Sequence, residues 1–330
     1  MIKLDTTYYR PPAAEDWQGR RDGHTEEHLR WHQHIQLVDL TQDATPFKGA
    51  FVVLGFACDE GVRRNMGRVG AMQGPKSIRK ALANMPIFRS NSFSLFDAGN
   101  IICPNENLDA AQATLGKAIQ RVRKKGGFPI VLGGGHEVTY GHYLGFQDDG
   151  SKKLGIINFD AHFDCRAPQH HEASSGTGFF QIAEAESAKE KRLHYLPIGI
   201  QRISNTQALF DYIQTQGVTS IEGADFHTAN QQQISETITR FLAEIDQLYL
   251  TIDLDVFAAA FAPGVSAVAF NGIFPDAFFW QVFRELVQSP KLKSLDISEL
   301  NPLYDIDMHT AKLAANLIFE LVAKKMLDPN

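Results

Sequence analysis

Asp160, His162 and Asp164 stand two residues apart in the run Asn158-Phe159-Asp160-Ala161-His162-Phe163-Asp164-Cys165-Arg166. Two carboxylates and an imidazole at that spacing make a set of oxygen and nitrogen donors suited to a divalent metal. They follow Leu154-Gly155-Ile156-Ile157, an apolar run without polar alternation, the pattern of a strand buried on both faces. If the two-residue period continues past the strand end, positions 160, 162 and 164 point to one side and share a target. Taken alone, the stretch also reads as two solvated loop acids beside a locally packed histidine.

Three other places in the chain carry the same grammar. Pro129-Ile130-Val131-Leu132 runs into Gly133-Gly134-Gly135-His136-Glu137, Leu248 to Ile252 into Asp253-Leu254-Asp255, and Leu292 to Leu295 into Asp296-Ile297-Ser298-Glu299. In open parallel sheets, ligands collect beyond the carboxyl ends of the strands. Charge avoids strand ends buried between helices, so four such endings point to one site. The three glycines before His136 let the backbone approach closely and aim the ring inward. Asp160, Asp164, Asp253 and Asp255 bring four negative charges into one pocket, and carboxylates that close cannot all stay ionised unpaired. Two divalent cations balance them. Imidazole and carboxylate without thiolate favour Mn, Zn, Fe or Co over Mg or Ca. Cys165 alternates away from Asp164 and reads as a packing residue. A two-metal centre activates water and polarises the group under attack, so the chemistry is metal-assisted hydrolysis.

These residues need a scaffold. Phe51 to Phe56 reads as a first strand, Asp59 to Ala71 as a loop with three arginines, and Gly74-Pro75 as a helix start. Leu108, Ala111, Leu115, Ile119 and Val122 recur at helical spacing, and Thr310 to Met326 is an amphipathic helix. Strands alternating with helices predict an α/β protein: a three-layer α/β/α arrangement around a central, mainly parallel sheet. With no internal repeat or linker, residues 1–330 read as a single domain. Residues 1–48 form a polar N-terminal arm with some helix near Thr25 to His34. The net charge of −6 gives no reason to expect nucleic acid. No signal-peptide core is seen and no apolar run approaches the ~18 residues of a membrane span, which predicts a cytoplasmic protein. Three cysteines, odd in number and widely spaced, give neither a disulfide framework nor a zinc knuckle and are expected to be reduced.

With these motifs assembled, the chain resembles the arginase/agmatinase superfamily of binuclear-manganese ureohydrolases, and within it the formimidoylglutamases. The matching stretches are Gly133 to Glu137, Asp160 to Asp164, Asp253 to Asp255 with Ala262-Pro263-Gly264-Val265-Ser266, and Ser294 to Pro302. The narrower likeness adds Trp17-Gln18-Gly19-Arg20, Arg30-Trp31-His32-Gln33 and Asp59 to Asn65. The resemblance implies an arginase-like fold and two manganese ions. One would be held by His136, Asp160, Asp164 and Asp253, the other by Asp160, His162, Asp253 and Asp255, with Asp160 and Asp253 bridging. It implies a small-molecule substrate, neither nucleic acid nor membrane as partner, and a homo-oligomer. N-formimino-L-glutamate carries two carboxylates, for which Arg166, Arg63 and Arg68 offer forked donors. Ser175 and Thr177 match the segment that completes substrate recognition in arginases.

The expected reaction is attack of a metal-bridging hydroxide, oriented by Asp164, on the formimino carbon, with Glu299 accepting hydrogen bonds from the iminium nitrogen. Glutamate and formamide are released. Where arginases carry a proton-shuttling histidine this chain has Phe179 and Phe180, which leaves Asp164, His170 or His171 as proton carriers. Two other readings stay open: a hydrolase of another guanidino or formimino acid, and a catalytically inactive, metal-stabilised binding protein.

Overall fold

The computed structural model describes residues 2–42, 46–88, 93–148 and 150–327. Ten strands are found among them: β1 (Tyr9–Arg10), β2 (Gln36–Leu37), β3 (Phe51–Ala57), β4 (Leu95–Ile102), β5 (Phe128–Leu132), β6 (Leu154–Phe159), β7 (His194–Ile200), β8 (Ile221–Glu222), β9 (Gln247–Asp253) and β10 (Leu292–Ser298). The helices are α1 (Trp31–His34), α2 (Glu60–Arg64), α3 (Gly74–Leu82), α4 (Leu108–Lys124), α5 (Val138–Leu144), α6 (Gly178–Ser187), α7 (Gln207–Thr215), α8 (Gln231–Glu244), α9 (Ala277–Gln288) and α10 (His309–Leu327). No helix among the described residues is long and apolar enough to cross a membrane.

Alternation along the buried strands builds the layers. Val53, Ile130, Ile157, Leu250 and Ile297 enter one core, shared with α3, α8, α9 and α10. Their neighbours Val52 and Val131 enter a second core with α4, and Ile156 and Tyr249 a third with α6 and α7. The sheet is therefore covered on both faces, which is why most of its strands are largely apolar. Pairing is parallel throughout except for β1, which runs antiparallel to β4. The order is β1-β4-β3-β5-β10-β9-β6-β7-β8, with β2 also on β4.

Two expectations change. Residues 9–10 and 36–37, read as part of a polar arm, supply β1 and β2 to the sheet edge, and Trp17 and Trp31 are buried. Trp17 Nε1 donates to Asp97 Oδ2 at 2.6 Å, an anchor 80 residues away in sequence. The arginine-rich stretch is not all loop, because Glu60–Arg64 closes into α2, where Glu60 binds both Arg63 and Arg64 one turn on.

Candidate metal centre

Strands β5, β10, β9 and β6 lie side by side, so the segments leaving their carboxyl ends open into one space. The glycine loop after β5 passes where no side chain fits. A Cβ on Gly134 would lie 1.7 Å from the Cys58 carbonyl oxygen, and one on Gly135 2.0 Å from Glu137 Oε2. His136 is thereby carried over β9 and β6, its Nδ1 3.1 Å from Asp160 Oδ2, 2.8 Å from Asp164 Oδ2 and 3.3 Å from Asp253 Oδ2. Behind the ring, Nε2 is 3.0 Å from Thr251 Oγ1, whose own proton goes to Asp296 Oδ1 at 2.6 Å. A hydroxyl has one proton, so Nε2 donates and Nδ1 is left to face three carboxylate oxygens. Only a cation or a proton at Nδ1 reconciles them.

Beyond Phe159 the chain leaves the strand. Asp164 adopts a left-handed φ of 47°, so the three ligands converge through a turn and not through continued strand alternation. Asp160 Oδ1 accepts from the His162 backbone N at 2.6 Å and Oδ2 from Asn158 Nδ2 at 3.0 Å, which fixes both lobes of the carboxylate. His162 Nδ1 is 3.1 Å from Asp255 Oδ2 and 3.4 Å from Asp160 Oδ1.

Two ligand groups result. Donor atoms of His136, Asp160, Asp164 and Asp253 all lie within 4.8 Å of one another, and so do those of Asp160, His162 and Asp255. Asp160 belongs to both. Asp253, expected to bridge, falls in the first group, and its Oδ1 accepts from the Asp255 backbone N at 2.8 Å. The donors are oxygen and imidazole nitrogen with no thiolate, since Cys165 is buried in an apolar cluster with Phe163 and Phe179. That donor set fits a pair of manganese-type ions.

Electrostatics supports the same conclusion. Burial and then Asp255 and Asp160 push Asp253 well above the usual carboxylate range, and burial also raises Asp164 and Asp255. Burial opposes charge on His136, but hydrogen bonds to Asp160 and Asp164 win and hold it well above its usual value; His162 is raised in the same way by Asp255 and Asp160. Burial likewise works against the Asp160 charge, yet the two imidazoles keep its carboxyl below the usual range. A site this crowded with acids holds protons until cations replace them.

Glu299 closes the floor from β10. It sits at a positive φ of 66°, its backbone N donates to the Gly134 carbonyl at 2.7 Å, and its Oε1 accepts from the His136 backbone N at 2.6 Å. Oε2 is buried and makes no hydrogen bond among the described residues, although the Ser266 hydroxyl stands beside it. Burial pushes this carboxyl up to about 7.

A cleft of about 320 Å³ is lined by His162, Asp164, Asp253, Asp255 and Glu299 and also by Asn65, Arg68, Arg166 and Ser175. Arg166 Nη1 donates to Asn65 Oδ1 at 2.9 Å, and Asn65 Nδ2 donates to Ser175 Oγ at 3.1 Å. Asn65 thus ties two expected recognition residues together and was given no role in the sequence, where its signal is its place after the arginine pair at the end of the matched stretch Asp59 to Asn65. Arg68 is held by the Val265 and Ser266 carbonyls and lies 4.0 Å over the Tyr304 ring. Two expected residues stand outside the cleft lining. Arg63 is engaged by Glu60 and Glu106, and the Thr177 hydroxyl is spent on the Ser174 backbone and Gln181. His170 and His171 are exposed and do not line the cleft either, and Phe179 stacks on Tyr195.

Comparison with known proteins adds sequence and fold relationships. The profile of the arginase family matches residues 49–323. A formimidoylglutamase of Rhodococcus jostii (strain RHA1) is 42% identical over 320 residues, covering 96% of this chain and 97% of that protein. The crystal structure of formimidoylglutamase from Bacillus subtilis superposes with a TM-score of 0.80 at 22% identity, covering 95% of each chain. That of Trypanosoma cruzi formiminoglutamase with Mn2+2 superposes with a TM-score of 0.75 at 24% identity, covering 88% of this chain and 98% of the other.

Proposed function

Because the chain belongs to the arginase family, as one of its formimidoylglutamase-type hydrolases of linear amidines, we propose that it cleaves N-formimino-L-glutamate to L-glutamate and formamide with two manganese ions bound at the paired ligand groups. His136, Asp160, Asp164 and Asp253 would hold one ion, and Asp160, His162 and Asp255 the other. The bound pair supplies an acidified water and an electrophilic pull on the amidine.

The chain's own residues do the rest. Glu299 Oε2, buried without a partner, accepts the N–H of the formiminium and fixes its carbon over the ligand groups. Asp164, raised by burial and by the Asp160 charge, is the carboxyl best suited to take a proton from the attacking water and return it to the leaving amine. Water adds its oxygen to the formimino carbon, the bond from that carbon to the glutamate nitrogen breaks, and the nitrogen leaves with the returned proton. Arg166 and Arg68 bind the two carboxylates, and Asn65 and Ser175 hold Arg166 in place.

One observation carries the reading: a single cleft is lined both by Glu299, whose Oε2 is buried without a hydrogen bond, and by the guanidinium residues Arg68 and Arg166. That combination suits a substrate carrying both an amidinium and two carboxylates. Metal-stripped protein reloaded with Mn and offered formiminoglutamate, arginine and agmatine side by side tests it. Glutamate and formamide from the first substrate alone, and only with Mn, is the expected result. Urea from either of the others would overturn the assignment of Arg166 and Arg68, and silence on all three would favour the binding-protein reading.

A further inference from the structure

Away from the ligand groups, a larger cleft of about 580 Å³ is bordered by Cys58, Asp59, Lys76, Cys103 and Pro104 at the carboxyl ends of β3 and β4. These strands are parallel and pair Ala57 with Ile102. One residue on, Cys58 and Cys103 leave the strands opposite each other. Neighbouring strands run about 4.8 Å apart, inside the roughly 4.4–6.8 Å between Cα atoms that a disulfide spans. Both cysteines are free, and each lies near enough to the other to shift its titration. Cys58 is buried, its carbonyl accepting from the Gly135 N at 2.9 Å and its Sγ facing Glu137 Oε1 at 3.5 Å. Cys103 is half-buried at the cleft.

We propose that Cys58 and Cys103 form a reversible dithiol modification site, which takes small alkyl disulfides through this cleft at Cys103 and closes to a Cys58–Cys103 disulfide. The order of events follows from exposure and polarity. Cys103 is the more exposed of the two; its Cys58 neighbour holds the Cys103 thiol below its usual value, while Cys103 and burial hold Cys58 well above its own, so Cys103 supplies the attacking thiolate. Its sulfur bonds to one sulfur of the reagent R–S–S–R, the reagent's S–S bond breaks, and one thiolate leaves. The Cys58 sulfur then attacks Cys103 Sγ, the mixed disulfide breaks, and a second thiolate leaves. The two departing thiolates take up the two cysteine protons. The protein is oxidised by two electrons and the reagent is reduced to two thiols.

The test exposes the folded full-length protein to 2-hydroxyethyl disulfide, then quenches with acid, alkylates under denaturing conditions and maps peptides by mass spectrometry. The expected product has lost two hydrogens, carries a peptide linking positions 58 and 103, keeps Cys165 alkylatable, and reverts with dithiothreitol. Cys58→Ser should stop at a hydroxyethyl adduct on Cys103, and Cys103→Ser should leave Cys58 unmodified while the protein stays folded. Wild-type protein that halts at a Cys103 adduct, links either residue to Cys165, or reacts only once unfolded would overturn the proposal.

Discussion

Thr251 spends its single proton on Asp296, and this decides which nitrogen of His136 meets the acids. Thr251→Val removes the acceptor for Nε2–H and frees the ring to present its proton to the carboxylates. Loss of such a supporting partner typically costs about 10–100-fold in metal affinity, and titration calorimetry against a competing chelator should show that weakening for one of the two manganese equivalents. Glu299→Gln asks a different question at the same floor. Removing one preorganised group of this kind costs about 10²–10³ in kcat, and the variant should lose that much while still binding two manganese ions by atomic absorption. Loss of the metal instead would make Glu299 a structural residue. The ligands were legible in the sequence because their chemistry restricts them to a few residue types at strand ends. Arg63 was not: its partners are Glu60, three residues back, and Glu106, 43 residues away, and only the fold shows that both engage it outside the cleft.

Strands β3, β5, β6 and β9 read directly as largely apolar runs, and β10 through its acidic end, whereas β4 does not. It carries Asp97, Gly99 and Asn100 in its interior, and polar residues there are tolerated only because α3 answers them. Arg79 donates to Asp97 at 2.8 and 2.9 Å and to Asn100 at 2.7 Å, with all three groups out of contact with the cleft. Breaking a buried pair by removing one partner costs about 3–5 kcal/mol. Arg79→Met should therefore lower the free energy of unfolding by that amount, read as a lower urea midpoint with the slope unchanged, and leave KM for formiminoglutamate as it was. Helices α3, α4 and α10 were also legible, from Pro75 at a helix start and from apolar spacing. By contrast β7 contains Pro197 and Gly199, and α8 opens on three glutamines, so neither shows the pattern its burial would suggest. The convergence of positions 160, 162 and 164 was anticipated through the wrong geometry, because nothing in an Asp-Cys-Arg sequence announces a left-handed residue at 164.

Across the molecule, the buried acids make metal binding and folding one equilibrium. Burial, followed by the Glu299 charge, raises Glu137 to about 8, and burial raises Glu299 to about 7; Asp164, Asp253, Asp255, His136 and His162 are raised too. A group raised in the folded state binds protons there that the unfolded chain has already released, so its stabilising effect is lost as pH rises through the folded value. Of the ligand groups, Asp160 alone runs the other way, and only at acid pH. Metal-free protein should thus melt progressively lower between about pH 5 and about pH 8. Manganese competes with those protons and binds better as they leave. The gap in melting temperature between loaded and stripped protein should widen over the same range, as differential scanning calorimetry can check; a constant gap would contradict the buried-acid account. The division of the cleft into a floor of strand ends and a rim of loops has an evolutionary consequence. Asn65, Arg68, Arg166, Ser175 and Ser266 sit on segments that contribute no residue to β5, β10, β9 or β6. A lineage can redraw that rim by drift and selection, acquiring new substrates, while it inherits the reaction centre unaltered.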